Sequence, residues 1–486
     1  MSIYIPERLP QYIARSYEPF AALKPSYQFC IAAMLWSWAM PRYQHCYNPI
    51  YASFHSEWLL RLWRNLSTMR KVLGDAYFRV LTGSNYEHYT HAYIPRQALG
   101  SALVDYLLDE KPDVLRDRDG RKLARPRGCF RSRAGSDSAA SPKHSVWQGM
   151  KCSLVLPINM DALQKFCRQT DNLRHIIAAL YLIRLARIWG NELPITYEQK
   201  STGRVFEVFS HIQCFPREVL SAALTGSWDY DIANAHFSIL GQWAKRLGYS
   251  TDSIDYYLRE KTLVRQTLSK DCRAPIAHIK ESLIGILYGG ILHTDPRFSS
   301  IASLLGQESA RVFKDHPIVR GIKNDVAKVK KAIINDLPRH AGNIGNSLGV
   351  YAPLNPNSPS ALCHALQGVE AQALKAVVKS YREKIILTMH DGWVSSVHLP
   401  PQDLAELVSR ATGFDLQVES TQMPKHRPEG LPFGAAADVT LRDWIIQQFP
   451  RPFGKPKGWG LLGSPQWSVP AGIKGTRMPK RKQSAN

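Results

Sequence analysis

The sequence predicts an α+β protein, and two patterns predict it. Apolar residues recur at helical spacing in several long stretches, and short β-rich runs closed by turn residues lie between them. The helical stretches are "SEWLLRLWRNLSTMRKVL" (56–73), "RQALGSALVDYLLDE" (96–110), "NMDALQKFCRQTDNLRHIIAALYLIRLARIW" (159–189) and "ALQGVEAQALKAVVKSY" (365–381). The clearest strand signal is "KIILTMHDGWVSSVHL" (384–399), where "IILTM" and "WVSSV" flank His390-Asp391-Gly392 and read as a hairpin with an acid at its tip. "SWDYDIANAHFSILGQWAKRLG" (227–248) reads as a strand followed by a helix, with Asp231 at the strand's end.

Bulk composition narrows the partners. The 486 residues carry 62 Lys and Arg against 40 Asp and Glu, a formal charge of +22. A surplus of that size repels itself unless a polyanion neutralises part of it, so nucleic acid is the leading partner. With 44% hydrophobic residues and a mean hydropathy of −0.25, the chain is expected to be soluble and globular, with more than one domain. The apolar run "CIAAMLWSWAM" (30–40) is too short to cross a bilayer and reads as a buried helix, so no membrane association is expected. Eight cysteines stand singly, with no Cys-x-x-Cys pair and no zinc spacing, which points to reduced thiols in a cytoplasmic protein (bacterial nucleoid or host cytoplasm).

Along the chain, residues 1–115 form an accessory region read as mostly helical. Residues 116–150 contain "RDRDGRKLARPRGCFRSRAGSDSAASPK", with nine basic residues against three acidic ones, and read as a basic linker or loop able to touch phosphates. Residues 151–200 supply thumb-like helices, 201–445 a core, and 446–486 a basic flexible tail.

Four stretches of the core carry chemistry in a fixed order. They are the Asp231 stretch (227–248), "KESLIGILYGG" (280–290), the 365–381 helix and the 384–399 hairpin with His390-Asp391-Gly392, and "STGRVFEVFSHIQCFPRE" (201–218) precedes them. Each has a bland reading when taken alone. Asp231 reads as a helix N-cap, Lys280 as a snorkelling lysine and Asp391-Gly392 as turn chemistry. Lys280 precedes Tyr288 by eight residues, about two helical turns, so both can project from nearly one face.

Together, in order and local spacing, these stretches resemble the palm and fingers of family A DNA polymerases, the polymerase I type, and their relatives the phage-type single-subunit RNA polymerases. The resemblance covers roughly residues 200–440. Thr202, Gly203, Arg204, Gln213 and Pro216 match the family's Thr-Gly-Arg element, and it implies that Arg204 reaches the minor groove at the primer terminus. "DIANAHFSIL" is similar to motif A, with Asp231 as a metal carboxylate and the carbonyl of Ile232 as a further ligand. "KESLIGILYGG" is similar to motif B, with Lys280 binding the triphosphate and Tyr288 stacking near the templating base. Gln367 matches the family's primer/template-binding glutamine; His-Asp-Gly looks like motif C, with Asp391 as the second metal carboxylate and His390 beside the primer end.

The resemblance implies a right-hand fold with an antiparallel palm sheet, helical fingers and a helical thumb. Its cofactor would be two Mg²⁺ ions, and its substrates a DNA primer-template (alternatively RNA) and dNTPs (alternatively NTPs), handled by a monomer. Nucleotidyl transfer builds charge on an attacking and a leaving oxygen, and two carboxylates holding two hard cations suit that need. The chain departs from the family at several positions. Ile276 stands where an arginine precedes the motif B lysine, so that Arg273 or His278 is the expected replacement, and Ile284 stands where an aromatic is usual. Gly392 follows Asp391 where the family has an acid, and His236 stands where DNA-synthesising members carry a glutamate that blocks a 2′-hydroxyl. No Asp-x-Glu occurs, so no proofreading exonuclease is expected. The expected activity is a DNA polymerase of a plasmid, phage or mobile element. The alternatives are an RNA polymerase or primase on the same palm, and a catalytically inactive nucleic-acid-binding replication factor.

Overall fold

Four strands drawn from three distant parts of the chain pair into one sheet in the computed structural model of the protein. The order is Ile385–Thr388, Gly392–Ser395, Trp228–Ile232 and Val418–Gln422, with every neighbouring pair antiparallel. The structure describes residues 3–40, 44–45, 48–54, 56–63, 65–81, 91–124, 130–131, 147, 155–389, 391–423 and 440–447. The architecture is mixed α+β with small sheets, mostly antiparallel.

Strand alternation gives the central sheet two unlike faces. Tyr230 and Ile232 turn inward, whereas Asp229 and Asp231 share the opposite face. On the inner side the rings of Tyr230 and Trp393 stack at 5.7 Å with an 8° interplanar angle. The Tyr230 hydroxyl donates to the Leu399 carbonyl at 3.0 Å and accepts from the Leu399 amide at 2.6 Å. Helix Pro401–Thr412 follows and buries Leu404 and Val408.

Helix Pro359–Ser380 runs through the middle of the core and is buried on most of its circumference, from Ala361 to Val378. It begins six residues before the stretch read from the sequence, because Ser358 and Pro359 supply a preset first turn. Around it pack Ala235–Arg246 and Pro317–Asp336. A run of shorter helices, among them Lys261–Cys272, Ile276–Leu287 and Gln307–Asp315, completes this helical part.

The N-terminal region, expected to be mostly helical, also carries a sheet. Helices Pro25–Ala39 and Gln97–Leu108 are present, but Gln44–His45, Asn48–Phe54, His91–Pro95 and Phe78–Leu81 form a four-stranded antiparallel sheet beside them. The strands escape sequence reading because they are short and rich in the same aromatics as the helices. The 56–73 stretch is two helices, Ser56–Trp63 and Leu66–Tyr77; Asn65 breaks it by accepting from the amides of Ser67 and Thr68. The 159–189 stretch is Met160–Cys167 and Leu173–Ile188. Arg184 in the latter is fully buried and donates to the carbonyls of Asp109 and Lys111, both at 2.8 Å, and to Asp113 at 3.2 Å. That guanidinium staples the helix to the N-terminal region.

The basic 116–150 segment lies mostly outside the described residues, as does the tail after Gln447. Its described pieces are docked. Phe130–Arg131 pairs in parallel with Tyr197–Gln199, and the buried Trp147 donates from Nε1 to the Gly203 carbonyl at 2.8 Å. Helix Leu441–Gln447 packs on Gln97–Leu108, where Arg442 pairs with Asp105. Among the described residues no helix is long and apolar enough to cross a membrane, and Cys30, Cys167, Cys272 and Cys363 are free thiols.

Candidate active site on the acidic face of the central sheet

Asp231 ends its strand directly opposite Gly392, and the amide of Ile232 donates to the Asp391 carbonyl at 3.1 Å. Residues paired in this way lie about 5 Å apart at Cα. The two acids, distant in sequence, are therefore neighbours on one sheet. Asp231 does not cap a helix; Asn234 does so in a left-handed conformation (φ 48°). Asp391 lies in the turn that the Met389 amide closes on the Gly392 carbonyl at 2.8 Å. His390 lies outside the described residues.

Gly392 is required by this closeness: a Cβ added there would meet the Tyr230 carbonyl oxygen at 2.1 Å. The outer carboxylate of the family pattern has no room at this position. The acids on the face are instead Asp229, two residues before Asp231, and Glu419, paired with Asp231 across the next strand. Arg217 pairs with Asp229 at 3.1 Å and Lys261 with Glu419 at 3.2 Å.

Asp231 is exposed to solvent, yet neighbouring protein crowds its carboxyl. Its pKa is pushed up to about 7, first by the desolvation that crowding causes and then by the like charge of Asp391; Asp229 and Glu419 add to this and Lys280 opposes it. The Asp229 carboxyl is raised as well, by burial foremost and with a contribution from Asp391, against Arg217.

Lys280 therefore acts on Asp231 from helix Ile276–Leu287, whose C-cap is Tyr288. His278 precedes Lys280 by two residues, about 200° around the helix, and so turns from the face that Lys280 presents. Arg273 ends the preceding helix in a left-handed conformation (φ 52°), and its charge is felt at Glu308 of Gln307–Asp315. Neither expected replacement for the missing arginine acts on Asp231. A residue that sequence reading passed over borders the turn after it. Arg265 donates to the Asn234 side chain at 3.0 Å, three residues past Asp231, and also to the Tyr257 hydroxyl. Its spacing from Lys261, four residues on one helix face, was the available signal.

Arg204 sits at the tip of the ribbon formed by Tyr197–Gln199 and Val205–Glu207. Gly203 has φ +91°, and a Cβ there would meet Leu348 at 2.6 Å, so the tip needs glycine both for its backbone and for the close approach. The Asn346 side chain donates to the Thr202 carbonyl at 2.9 Å and fixes the tip from the other side. Gln213 is a brace: its Nε2 donates to the Thr388 carbonyl at 2.8 Å and its Oε1 accepts from the Glu207 amide at 2.9 Å. The ribbon is thereby tied to the strand leading into Asp391.

Arg204 pairs with Glu370, a residue missed from sequence. Glu370 Oε2 also lies 2.8 Å from His236 Nε2, and His236 Nδ1 is hydrogen-bonded to the Tyr288 hydroxyl. The Tyr288 hydroxyl in turn interacts with Gln367 and has its pKa pushed up to about 12, chiefly by burial. Arg204 feels Asp391 as well as Glu370 and Tyr288, so the network borders the acidic face. Cys363, Gln367 and Glu370 recur at i, i+4 and i+7 on the central helix, which places them along one side of it.

Among the described residues no group of three or more His, Cys, Asp or Glu is arranged as a metal cage. What the face offers is a pair of adjacent hard-oxygen donors whose mutual repulsion a divalent cation relieves. Mg²⁺ needs few protein ligands, so the donor set fits it. No protein-family model matches the sequence, and no curated protein matches it either.

Proposed function

We propose that the protein is a template-directed, Mg²⁺-dependent nucleotidyltransferase on a right-hand palm, synthesising DNA from dNTPs. The observation that carries the reading is the closeness of Asp231, paired with Gly392 on the antiparallel sheet, to Asp391 in the adjoining turn, with the charge of Lys280 reaching Asp231 from a helix that ends at Tyr288. The positive charge of the chain fits a duplex partner.

In this reading Asp231 and Asp391, with the carbonyl of Ile232, hold two Mg²⁺ ions. When bound, those ions supply Lewis-acid stabilisation of the attacking and leaving oxygens. The primer 3′-oxygen forms a bond to the α-phosphorus of the incoming nucleotide, the α–β bridging P–O bond breaks and pyrophosphate leaves. The hydroxyl proton passes to water. Lys280 offsets charge on the triphosphate and can donate a proton to the departing pyrophosphate. Lys261, paired with Glu419, and Arg265, bonded to Asn234, stand beside the site and take the part of the absent arginine at Ile276. Tyr288 and Gln367 bracket the position of the base pair, and Arg204 reaches the duplex at the primer end.

Primer extension by the full-length chain tests this. Asp231→Asn and Asp391→Asn should each lower incorporation by 1,000-fold or more, a loss of about 4 kcal/mol of transition-state stabilisation, while primer-template binding survives. Normal turnover in either variant removes the assignment. Exclusive use of NTPs would make the enzyme an RNA polymerase or primase. Failure to release pyrophosphate under any condition would leave only a nucleic-acid-binding role.

A further inference from the structure

Glu370 is a charge in a largely buried helix of the core, with side-chain exposure of 0%. A buried carboxylate is costly unless it is paired. Here Oε2 alone meets both partners, Arg204 and His236, and Oε1 has no hydrogen-bond partner. Burial pushes its pKa upward, yet the His236 contact and the Arg204 charge outweigh that and hold it below the ordinary carboxylate value. Glu370 cannot touch a substrate. Arg204 and His236, exposed by 15% and 12%, are the groups through which it acts.

His236 is contacted at both ring nitrogens: Glu370 Oε2 lies 2.8 Å from Nε2 without completing a hydrogen bond there, and the Tyr288 hydroxyl is hydrogen-bonded to Nδ1. Contacts at two corners of the ring restrict its pivoting and leave each nitrogen crowded by a protein oxygen. The inference rests on the polymerase reading, in which the α-phosphate lies at Asp231 and Asp391 and the base lies at Tyr288. The sugar joins them, and His236 spans the same interval: it lies in the first turn of the helix that follows the Asp231 strand and touches Tyr288.

We infer that Glu370 is a positioning residue for sugar selection, clamping His236 so that the groove rejects ribonucleotides. A 2′-hydroxyl against the clamped ring would lose its water and gain no partner. An apolar wall of this kind rejects an added hydroxyl by about 100-fold.

The test measures kcat/KM for a dNTP and the matching NTP with full-length protein, Mg²⁺ and a DNA primer-template. The wild type should favour the dNTP by about 100-fold. Glu370→Gln keeps the side chain's size and removes its charge; the preference should fall about tenfold, mostly through a lower KM for the NTP. Tyr288→Phe frees the other nitrogen while keeping the aromatic ring, and should move the preference in the same direction. It carries the test if Glu370→Gln does not fold. A preference within twofold of wild type in the folded variants, or an equal loss with both nucleotides, overturns the inference and leaves Glu370 structural. A wild type that prefers NTPs overturns it too, while the nucleotidyltransferase reading stands. A wild type that incorporates neither nucleotide defeats the underlying reading itself, before any variant is made.

Discussion

The raised Asp231 carboxyl makes metal binding and proton release a single event, which can be measured without any turnover. With its pKa at about 7, Asp231 holds a proton that a divalent cation must displace. The fraction protonated, and hence the proton released per binding event, is about 0.9 at pH 6, about 0.5 at pH 7 and about 0.1 at pH 8. Apparent Mg²⁺ affinity should therefore fall about tenfold for each pH unit below 7 and level off above 8. Isothermal titration of Mg²⁺ into the full-length protein, repeated in buffers of different ionisation enthalpy, reads the released proton directly. Asp391→Asn removes the like charge that ranks second among the causes, so release at pH 7 should drop well below the wild-type value. Affinity independent of pH between 6 and 8, or the same release in Asp391→Asn, would refute the electrostatic reasoning. The sign for stability follows from the same shift. The folded pKa lies above the ordinary carboxylate value, so the metal-free protein carries a contribution that is full below about pH 4 and lost as pH rises through about 7. Stabilisation by Mg²⁺ should accordingly be greater at pH 8 than at pH 6.

Three further outcomes are expected. Gly392→Ala drives a methyl group into the Tyr230 carbonyl, 2.1 Å from the ideal Cβ, and should cost about 3 kcal/mol, read as a lowered Tm. Arg204→Ala leaves Glu370 buried beside His236 alone and should cost about 3 kcal/mol. It should also weaken a pH trend: the lowered Glu370 pKa contributes stability that is lost as pH falls, and without Arg204 that dependence shrinks. Lys261→Ala combined with Arg265→Ala should raise the KM for nucleotide about tenfold or more, with a smaller change in kcat, if their shared face meets the triphosphate.

What could be read from the sequence follows from the range of the interactions. The Asp231 strand was legible because "WDYDI" alternates and runs into a helix, and the Asp391 hairpin because two β-rich runs close on Asp-Gly; both patterns are local. Helix Ile276–Leu287 announced itself by its period and by the glycines beyond it. Glu370 was not legible, since its partners lie on a ribbon tip and on a separate helix, 166 residues away in the case of Arg204. An acid three residues after Gln367 looks like ordinary helix surface until three elements close around it. Arg265 was hidden for a related reason. The family's spacing points to the positions just before Lys280, where Arg273 and His278 stand, whereas Arg265 reaches Asn234 from the neighbouring helix. The N-terminal sheet was missed because runs of Tyr, Ile and Phe suit a strand and a buried helix equally.

The acidic face and the buried network answer one physical problem in opposite ways. At the sheet, Asp229, Asp231 and Glu419 share a face of a protein whose surplus charge is positive, Asp391 adds its charge from the adjoining turn, and Asp231 is left so crowded that a proton stays on it near neutrality. The arrangement holds because the opposite face is locked by the Tyr230–Trp393 stack and because Gly392 lets the strands close. The repulsion is thus confined to side chains that a cation can reach. Behind it, Glu370 is kept ionised with no access to solvent, its charge matched by Arg204 and His236. One set of acids is left unmatched where a ligand can complete it, and the other is matched where geometry must not change. The two sets meet at Arg204, which feels both Glu370 and Asp391. A cation bound at the sheet would therefore weaken the pull of Asp391 on Arg204 and leave Glu370 as its main partner. The clamp on His236 should tighten as the site fills.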